Sequence, residues 1–595
     1  MCIRDSSKNY GLPAIAPLDE FGRYVDGFGP LTGIGVGDVN KIVYDSLREK
    51  NLFYRLDQIT HRYPVCWRCD TELIFRLVNE WFISMDKLRD NIAEVTKRIK
   101  WVPEFGMDRE LDWLRNMDDW MISKKRYYGL ALPIYKCEGC GDFEVIGSEV
   151  ELQERSVEGW SEFEGHSPHR PWVDSVKIAC ANCGEKVSRI RDVGNPWLDA
   201  GIVTFSTLGY RHGKDYWNEW FPADLISESF PGQFRNWFYS LLTMSTVLEN
   251  TEPFRSNFTY ATLMDENGEE MHKSKGNSIE FQEGADQMGV DAMRWMYSIT
   301  NPASNLLFGY NRADDVRRRF LIPLWNVYSF FVTYSNIDGY DGTQQAPPIK
   351  QRPELDRWIV SELNELIRVT TESLDRYDPG NAARAIEEFV GRLSNWYVRR
   401  SRRRFWKSEV DEDKLAAFAT LHSCLTTVVK LMAPFIPFVS EEIYQNIGRA
   451  NHTESVHLED WPTADDTLID RELDEATRLA MRLSSMGRAA RSKANIKVRQ
   501  PIATLFFKLR SESETAFMDR ISSQVKDELN VKKISVLEDV STVANFEIKP
   551  NFQLLGPKYE KTVGDVIAQI NAADPATVFR SVSANQPIQL SLIHI

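Results

Sequence analysis

The sequence predicts a multidomain protein in which an α/β half with a cysteine-rich insert is followed by an all-α half. Three observations predict this. At 595 residues the chain is too long for one hydrophobic core, and roughly three to five domains are expected. From about 191 to 300 short apolar runs of strand type alternate with helical patterns, as in half of a nucleotide-binding sheet. After about 310 the pattern changes to long amphipathic helices.

Residues 7 to about 60 mix short strands and turns, with Gly11-Leu12-Pro13, Asp26-Gly27 and Gly33 to Gly37, and end in an amphipathic stretch from Val39 to Lys50. Between Leu73 and Trp101 an apolar strand is expected, then a helix with Met85, Leu88, Ile92 and Val95 at helical spacing. Asp119 to Tyr135 holds the run Trp120 to Gly129, then a strand. The helices beyond are expected at Asp314 to Tyr334, Glu354 to Tyr377, Asn381 to Trp406, Asp411 to Lys430 and Asp465 to Arg491. Pro347-Pro348 and the turn Asp378-Pro379-Gly380 punctuate them, and Asn381 reads as the N-cap after that turn. Residues 502 to 589 return to short strands and helices, and no internal repeat is visible.

A composition of 43% hydrophobic and 27% charged residues is that of a soluble globular protein. No run of 18 apolar residues occurs; the best candidate, Leu431 to Val439, is short and carries Pro434 and Pro437, so no membrane span is expected. A net charge of -14 argues against a basic coat, but phosphate contact needs only a local patch.

Both ends read as foreign. Met1 to Ser6 and Leu590 to Ile595 can be back-translated as reverse complements of each other, and the repeat resembles the transposon end used to cut DNA for sequencing libraries. Residues 1–6 and 590–595 are therefore set aside with Cys2, and 7–589 is read as an internal piece of a longer gene product.

Of the eight cysteines, six form Cys-x-x-Cys pairs: Cys66/Cys69, Cys137/Cys140 and Cys180/Cys183. The last two are each followed by glycine, and each turn offers two soft ligands to a tetrahedral zinc that wants four. Disulfides do not suit a large acidic chain without secretory features, and redox pairs rarely come in threes. A structural Zn²⁺ is expected on Cys137, Cys140, Cys180 and Cys183, with Cys66 and Cys69 as half of an incomplete second site. Cys424 sits in an apolar helical stretch and reads as core.

Met271-His272-Lys273-Ser274-Lys275-Gly276-Asn277 puts two lysines and a serine on a polar turn. Mobile point charges of this kind suit a polyphosphate whose charge shifts during reaction. Trp197 follows the cysteine segment in Asn195 to Gly201, and Gln233 and Trp237 lie in Glu228 to Phe238; core packing is the bland reading of both tryptophans. Ser394 to Trp406 interleaves aromatics with Arg399, Arg400, Arg402, Arg403 and Arg404, and no acid occurs from Arg392 to Trp406. Arginine beside aromatics suits an RNA backbone and exposed bases, whereas a charge run by itself is usually a solvated helix end.

The Lys273 loop resembles the KMSKS loop of class I aminoacyl-tRNA synthetases, with Lys273 in the place of that motif's second lysine, Glu270 where the first belongs and His272 in place of a serine. The order Trp197, Gln233/Trp237, Lys273 resembles the second half of the Ile/Val/Leu synthetase catalytic domain, although Ser229 and Gly232 replace the family's Glu and Asp. Ser394 to Trp406 and Ala489 to Pro501 resemble the helical anticodon-binding domain of isoleucyl-tRNA synthetases and the segment after it.

The resemblance implies a domain order. Residues 7–75 would end the inserted editing domain, 76–135 belong to a Rossmann-type catalytic domain, 136–190 form a zinc-binding insertion and 191–312 return to the catalytic domain. A helical-bundle anticodon-binding domain at 313–470 and a C-terminal junction region at 471–589 would follow.

It also implies ATP-dependent attachment of isoleucine to its tRNA, with Mg²⁺ accompanying the ATP. Lys273 and Ser274 would be catalytic; Met271, His272, Lys273, Ser274, Gly276 and Asn277 would hold ATP; Trp197, Gln233 and Trp237 would hold the amino acid and adenylate. Arg399, Arg400, Arg402, Arg403 and Arg404 would hold tRNA. An apolar pocket separates isoleucine from valine poorly, hence the editing domain. A monomer in the cytoplasm is expected. No His-Ile-Gly-His sequence occurs, so this chain by itself is expected neither to activate isoleucine nor to edit. A valyl or leucyl enzyme, and a zinc-stabilised tRNA-binding module without catalysis, remain as alternatives.

Overall fold

The computed structural model describes residues 10–13, 15–61, 63–66, 69, 71–447, 453–537, 547–583 and 586, with the Ser274 and Ser583 side chains outside this set. The foreign-looking ends, 1–6 and 590–595, lie outside the described residues. The chain divides into two units, Met1–Thr259 and Tyr260–Ile595.

In the first unit, α1 (Asn40–Glu49) is amphipathic and buries no residue fully. Helix α2 (Arg89–Thr96) leads to β1 (Lys100–Val102) and α3 (Phe105–Asn116). The hairpin β2 (Ile134–Lys136) and β3 (Phe143–Val145) opens the cysteine segment, which continues as a sheet of β4 (Ser156–Glu158), β5 (Lys177–Ala179) and β6 (Lys186–Ser188). Then come α4 (Pro196–Gly201), β7 (Ala223–Ser229), α5 (Trp237–Glu249) and β8 (Phe254–Tyr260). Strands β7, β8 and β1 form one sheet in that order; β8 runs parallel to β1, with Asn257 opposite Trp101.

Helix α5 is apolar nearly all round, the mark of a helix enclosed on several sides, and eight of its residues are buried. Phe238, Leu241, Leu242 and Phe254 share a core with Ile92, Val95 and Trp101. Gly201 lets α4 lie against α5: a Cβ there would stand 2.7 Å from the Ser240 carbonyl oxygen.

The apolar strand expected from Leu73 does not form. Leu73, Ile74, Phe75, Leu77 and Val78 are exposed, and only Phe82–Ile83 pairs, with Trp120–Met121. An apolar run makes a strand only where a neighbouring strand takes its hydrogen bonds and a core covers its face.

In the second unit a short 3₁₀ turn, Lys273–Lys275, precedes α6 (Phe281–Met288) and α7 (Val290–Ile299). A long helical stretch runs through α8 (Tyr310–Val316), a π-helical segment (Arg317–Leu321) and α9 (Ile322–Asp338). The bundle continues with α10 (Glu354–Asp375), α11 (Pro379–Arg392), a second π-helical segment (Leu393–Val398), α12 (Arg399–Trp406), α13 (Glu412–Met432) and α14 (Pro437–Ile447). Helix α15 (Arg471–Lys493), β9 (Ile502–Phe507), α16 (Met518–Leu529) and β10 (Val531–Val536) follow, and β9 and β10 are parallel.

The expected helices are therefore present, with shifted ends. The N-cap is corrected: Asp378, not Asn381, caps α11. Its carboxylate accepts the Asn381 N–H at 2.9 Å, with Pro379 at the first helical position, where its missing N–H costs nothing. Asn381 instead donates to the Ser373 hydroxyl at 2.8 Å. The unit boundary falls after Thr259 because Trp295 on α7 stacks on Phe320 and meets Phe435 edge-on, which ties α7 into the bundle core. Helix α13 is long and apolar enough to cross a membrane, and most of it is buried in this core.

Candidate functional site

The cysteine segment presents two matching turns. Cys137 N–H donates to the Asp142 carbonyl and Cys180 N–H to the Glu185 carbonyl, both at 2.8 Å. Gly141 and Gly184 donate back to the Cys137 and Cys180 carbonyls at 3.0 and 2.9 Å. These closures need a left-handed residue, and the two glycines supply φ values of 78° and 76°. The four Sγ atoms lie within 4.8 Å of one another, with Cys137 3.5 Å from Cys183 and Cys140 3.7 Å from Cys180. Four thiols so close with no disulfide are a ligand set for one soft cation. Cys66 repeats the turn, donating its N–H to the Thr71 carbonyl at 2.8 Å. No group of three or more metal-ligating residues includes it among the described residues.

Trp197 lies in the first turn of α4. The Asn195 side-chain oxygen accepts the Trp197 N–H at 3.1 Å, while its amide donates to the Met121 carbonyl at 2.9 Å. This fixes Trp197 on the wall of a cleft of about 510 Å³ that Trp113, Trp120, Tyr239, Lys124 and Arg235 also line. The Arg235 guanidinium sits 5.1 Å from the Trp113 ring centre. Tyr239 meets the Trp120 ring edge-on at 5.3 Å, and burial pushes its hydroxyl pKa up. Gln233 accepts the N–H of Trp237 at 3.2 Å and so caps the start of α5. Trp197 and Trp237 pack on the same core, but Gln233 and Trp237 do not line the cleft. Ser229 ends β7, and the Gly232 carbonyl accepts from the Asn236 side chain at 2.8 Å.

The Lys273 loop is tied at its root and open at its tip. Asn277 accepts the His272 N–H at 2.9 Å and donates to Asp265 at 3.0 Å and to the Glu270 carbonyl at 3.2 Å. Gly276, at φ 70°, closes the turn, and Met271 packs against the core. The Lys273 side chain is 85% exposed, with its ammonium 3.0 Å from Glu280. His272 faces Glu270 at 3.4 Å. The Ser274 side chain lies outside the described residues.

The five arginines of α12 divide. Arg404 forks onto the buried Asp356 at 2.6 and 2.8 Å and also reaches Asp413 at 2.9 Å. Arg399 and Arg400 reach Glu528 on α16 and lie over the Trp396 ring. Arg402 and Arg403 are exposed and take no acid partner among the described residues.

The family described as class I tRNA synthetases for I, L, M and V matches residues 16–308, and the anticodon-binding domain of tRNA ligases matches 356–506. The isoleucine–tRNA ligase of Dehalococcoides mccartyi is 42% identical over 90% of this chain and 53% of its own length. Those of Clostridium tetani and Thermus thermophilus are 37% and 38% identical over 98% and 94% of this chain, and 56% and 54% of their own. The chain belongs to the class I aminoacyl-tRNA synthetases. It spans about half the length of the curated relatives it matches.

A class I catalytic domain and an anticodon-binding domain thus occupy one synthetase chain. Sequence reasoning missed the cleft partners Trp113, Trp120 and Tyr239, whose only signal was aromatic content, and Arg235, which carried none. It also missed Glu528 and Arg488, which join the Arg399 cluster from more than 85 residues away. It assigned Asn277 to the loop without foreseeing that this side chain anchors it.

Proposed function

We propose that this chain is part of an isoleucine–tRNA ligase, which joins isoleucine to its tRNA at the expense of ATP. The observation that carries the reading is likeness to isoleucine–tRNA ligases over 98% of the chain, through both the catalytic and the anticodon-binding parts. In this reading 76–135 and 191–312 belong to the second half of the catalytic domain and 136–190 to its zinc insertion. Residues 7–75 end the editing domain, 313–470 bind the anticodon and 471–589 form the junction.

The isoleucine carboxylate attacks the α-phosphorus of ATP, and pyrophosphate leaves; Mg²⁺ would accompany the ATP and supply positive charge to its phosphates. Lys273, an exposed ammonium on a tip anchored by Asn277, stabilises the departing phosphates as the loop, including Met271, His272, Ser274 and Gly276, closes over them. Trp197 and Trp237 offer flat apolar surface to a branched side chain with no hydrogen bonds of its own. Gln233 holds the start of the helix that carries Trp237. Cys137, Cys140, Cys180 and Cys183 would hold Zn²⁺, which supplies a structural tie between two hairpins. Arg402 and Arg403, facing outward, contact tRNA. The reading places the protein in the cytoplasm as a monomer.

The test is competition between isoleucine, valine and leucine tRNAs for the chain at one fixed salt concentration, since phosphate contact alone mimics affinity. Preference for isoleucine tRNA that is lost in the Arg402→Ala/Arg403→Ala double variant supports the reading. Equal, salt-sensitive binding of all three sinks it.

A further inference from the structure

We infer that Glu528 is a positioning residue that gathers Arg399, Arg400 and Arg488 into one RNA-phosphate site. The inference rests on the tRNA-binding reading above and extends it to residues on α15 and α16, outside the arginine-rich helix. Glu528 is nearly enclosed, its side chain 4% exposed. One oxygen accepts from Arg399 and Arg488, and the other accepts from Arg400 at 2.9 Å. Among the described residues none of the three arginines reaches another acid. Three positive charges around one negative leave an excess of two, held in place.

Arg404 provides the contrast within the same helix. Its fork is closed on Asp356 beside Asp413, two acids for one arginine, so it brings no surplus charge to the surface. The Glu528 cluster has the surplus and also the access. The Arg399 and Arg488 side chains are 37% and 41% exposed, with part of each fork unengaged among the described residues. The Trp396 ring underlies the group, with the Arg399 and Arg400 guanidinium carbons 5.8 and 5.2 Å from its centre. A guanidinium already fixed by a carboxylate and a ring loses little further freedom when a phosphate takes its remaining N–H groups, and its planar fork matches phosphate geometry.

Further along α15 a buried arginine holds the exposed basic loop that follows the helix. Three residues past Arg488, Arg491 donates to the Lys497 carbonyl at 2.6 Å, to the Val498 carbonyl at 3.1 Å and to the Gln500 carbonyl. Asn530, two residues past Glu528, donates to the Val498 and Arg499 carbonyls at 3.1 and 3.0 Å. The loop that carries Lys497 and Arg499 is thus clamped from the same two helix ends that hold the cluster.

The test is filter binding of the full chain to isoleucine and valine tRNA transcripts across a salt series. Variants are Glu528→Gln, Arg488→Ala and Arg402→Ala/Arg403→Ala. Arg488→Ala is expected to weaken isoleucine tRNA binding about tenfold and to reduce the salt slope by about one. Glu528→Gln makes the chain more positive, so charge alone predicts tighter binding of both RNAs. Positioning predicts the opposite: about tenfold weaker isoleucine tRNA binding and a smaller preference over valine tRNA. Binding by Glu528→Gln as tight as the parent's, or an unchanged affinity and slope in Arg488→Ala, overturns the inference. Should Glu528→Gln fail to fold, as its melting curve reports, Arg488→Ala on the exposed rim decides alone. Lost binding in the Arg402/Arg403 variant with Arg488→Ala unchanged removes only this inference; no tRNA preference in the parent chain removes the tRNA reading with it.

Discussion

Arg404 and Asp356, 48 residues apart, form a two-pronged ion pair in which the carboxylate is fully buried. The Tyr397 hydroxyl donates to the same carboxylate at 2.8 Å, and burial beside that charge pushes its pKa well up. The pair fastens α12 to α10 beneath a helix whose other arginines face outward or toward Glu528.

Removing one partner of such a pair leaves a buried charge alone. Arg404→Ala is expected to lower stability by about 3–5 kcal/mol. Arg402→Ala and Arg403→Ala are expected to stay within about 0.5 kcal/mol of the parent. Arg404→Lys does not restore the loss, because a point charge cannot make the two-pronged contact. Urea unfolding of the parent and the four variants checks the ranking, and equal midpoints would refute it.

The four-cysteine cluster predicts about one zinc per chain after purification without chelator. Cys183→Ser should lose the metal and lower the melting temperature, since three ligands leave the tetrahedral shell incomplete. Cys424→Ser should keep it, because that thiol is enclosed in the bundle core and is not one of the four clustered ligands. Elemental analysis decides; zinc retained in Cys183→Ser would place the metal elsewhere.

What the sequence made legible was local. The Cys-x-x-Cys turns were readable because a five-residue closure and its glycine determine them, and the bundle helices because each shows its own 3.6-residue period. What was not legible depended on distant partners. The five arginines from 399 to 404 look alike until Asp356 takes Arg404 and Glu528 takes Arg399 and Arg400. Asp378 and Asn381 are both good caps by type, and only the backbone path through Pro379 decides between them. Leu73 to Val78 reads as a strand by composition, yet strand formation needs a neighbour that composition does not reveal.

Gly201 offers a packing test close to Trp197. A Cβ there would stand 2.7 Å from the Ser240 carbonyl oxygen and 2.9 Å from the Met244 side chain. The methionine can move, but the backbone carbonyl cannot without shifting α5. Gly201→Ala is expected to cost about 1–3 kcal/mol by overpacking, despite the better helix propensity of alanine. Thermal unfolding measures it, and a variant as stable as the parent would mean that α4 stands further from α5.

Asp474 supplies the pH dependence. Its side chain is buried on α15, accepts from the Ser361 hydroxyl at 2.9 Å and lies near Glu362. Burial chiefly, with repulsion from Glu362, raises its pKa from 3.8 to about 7. The folded protein therefore holds this proton more tightly than the unfolded chain. The resulting stability is fully present below about pH 4 and is lost as pH rises through 7, at no more than about 1.4 kcal/mol per pH unit. Asp474→Asn keeps the shape without the titration, so the difference in stability between parent and variant should shift in the variant's favour from pH 4 to 7 and level off above. Other carboxylates titrate in both proteins and cancel in that difference. A difference that is flat with pH would mean that Asp474 is ionised in the fold, with water or an arginine reaching it.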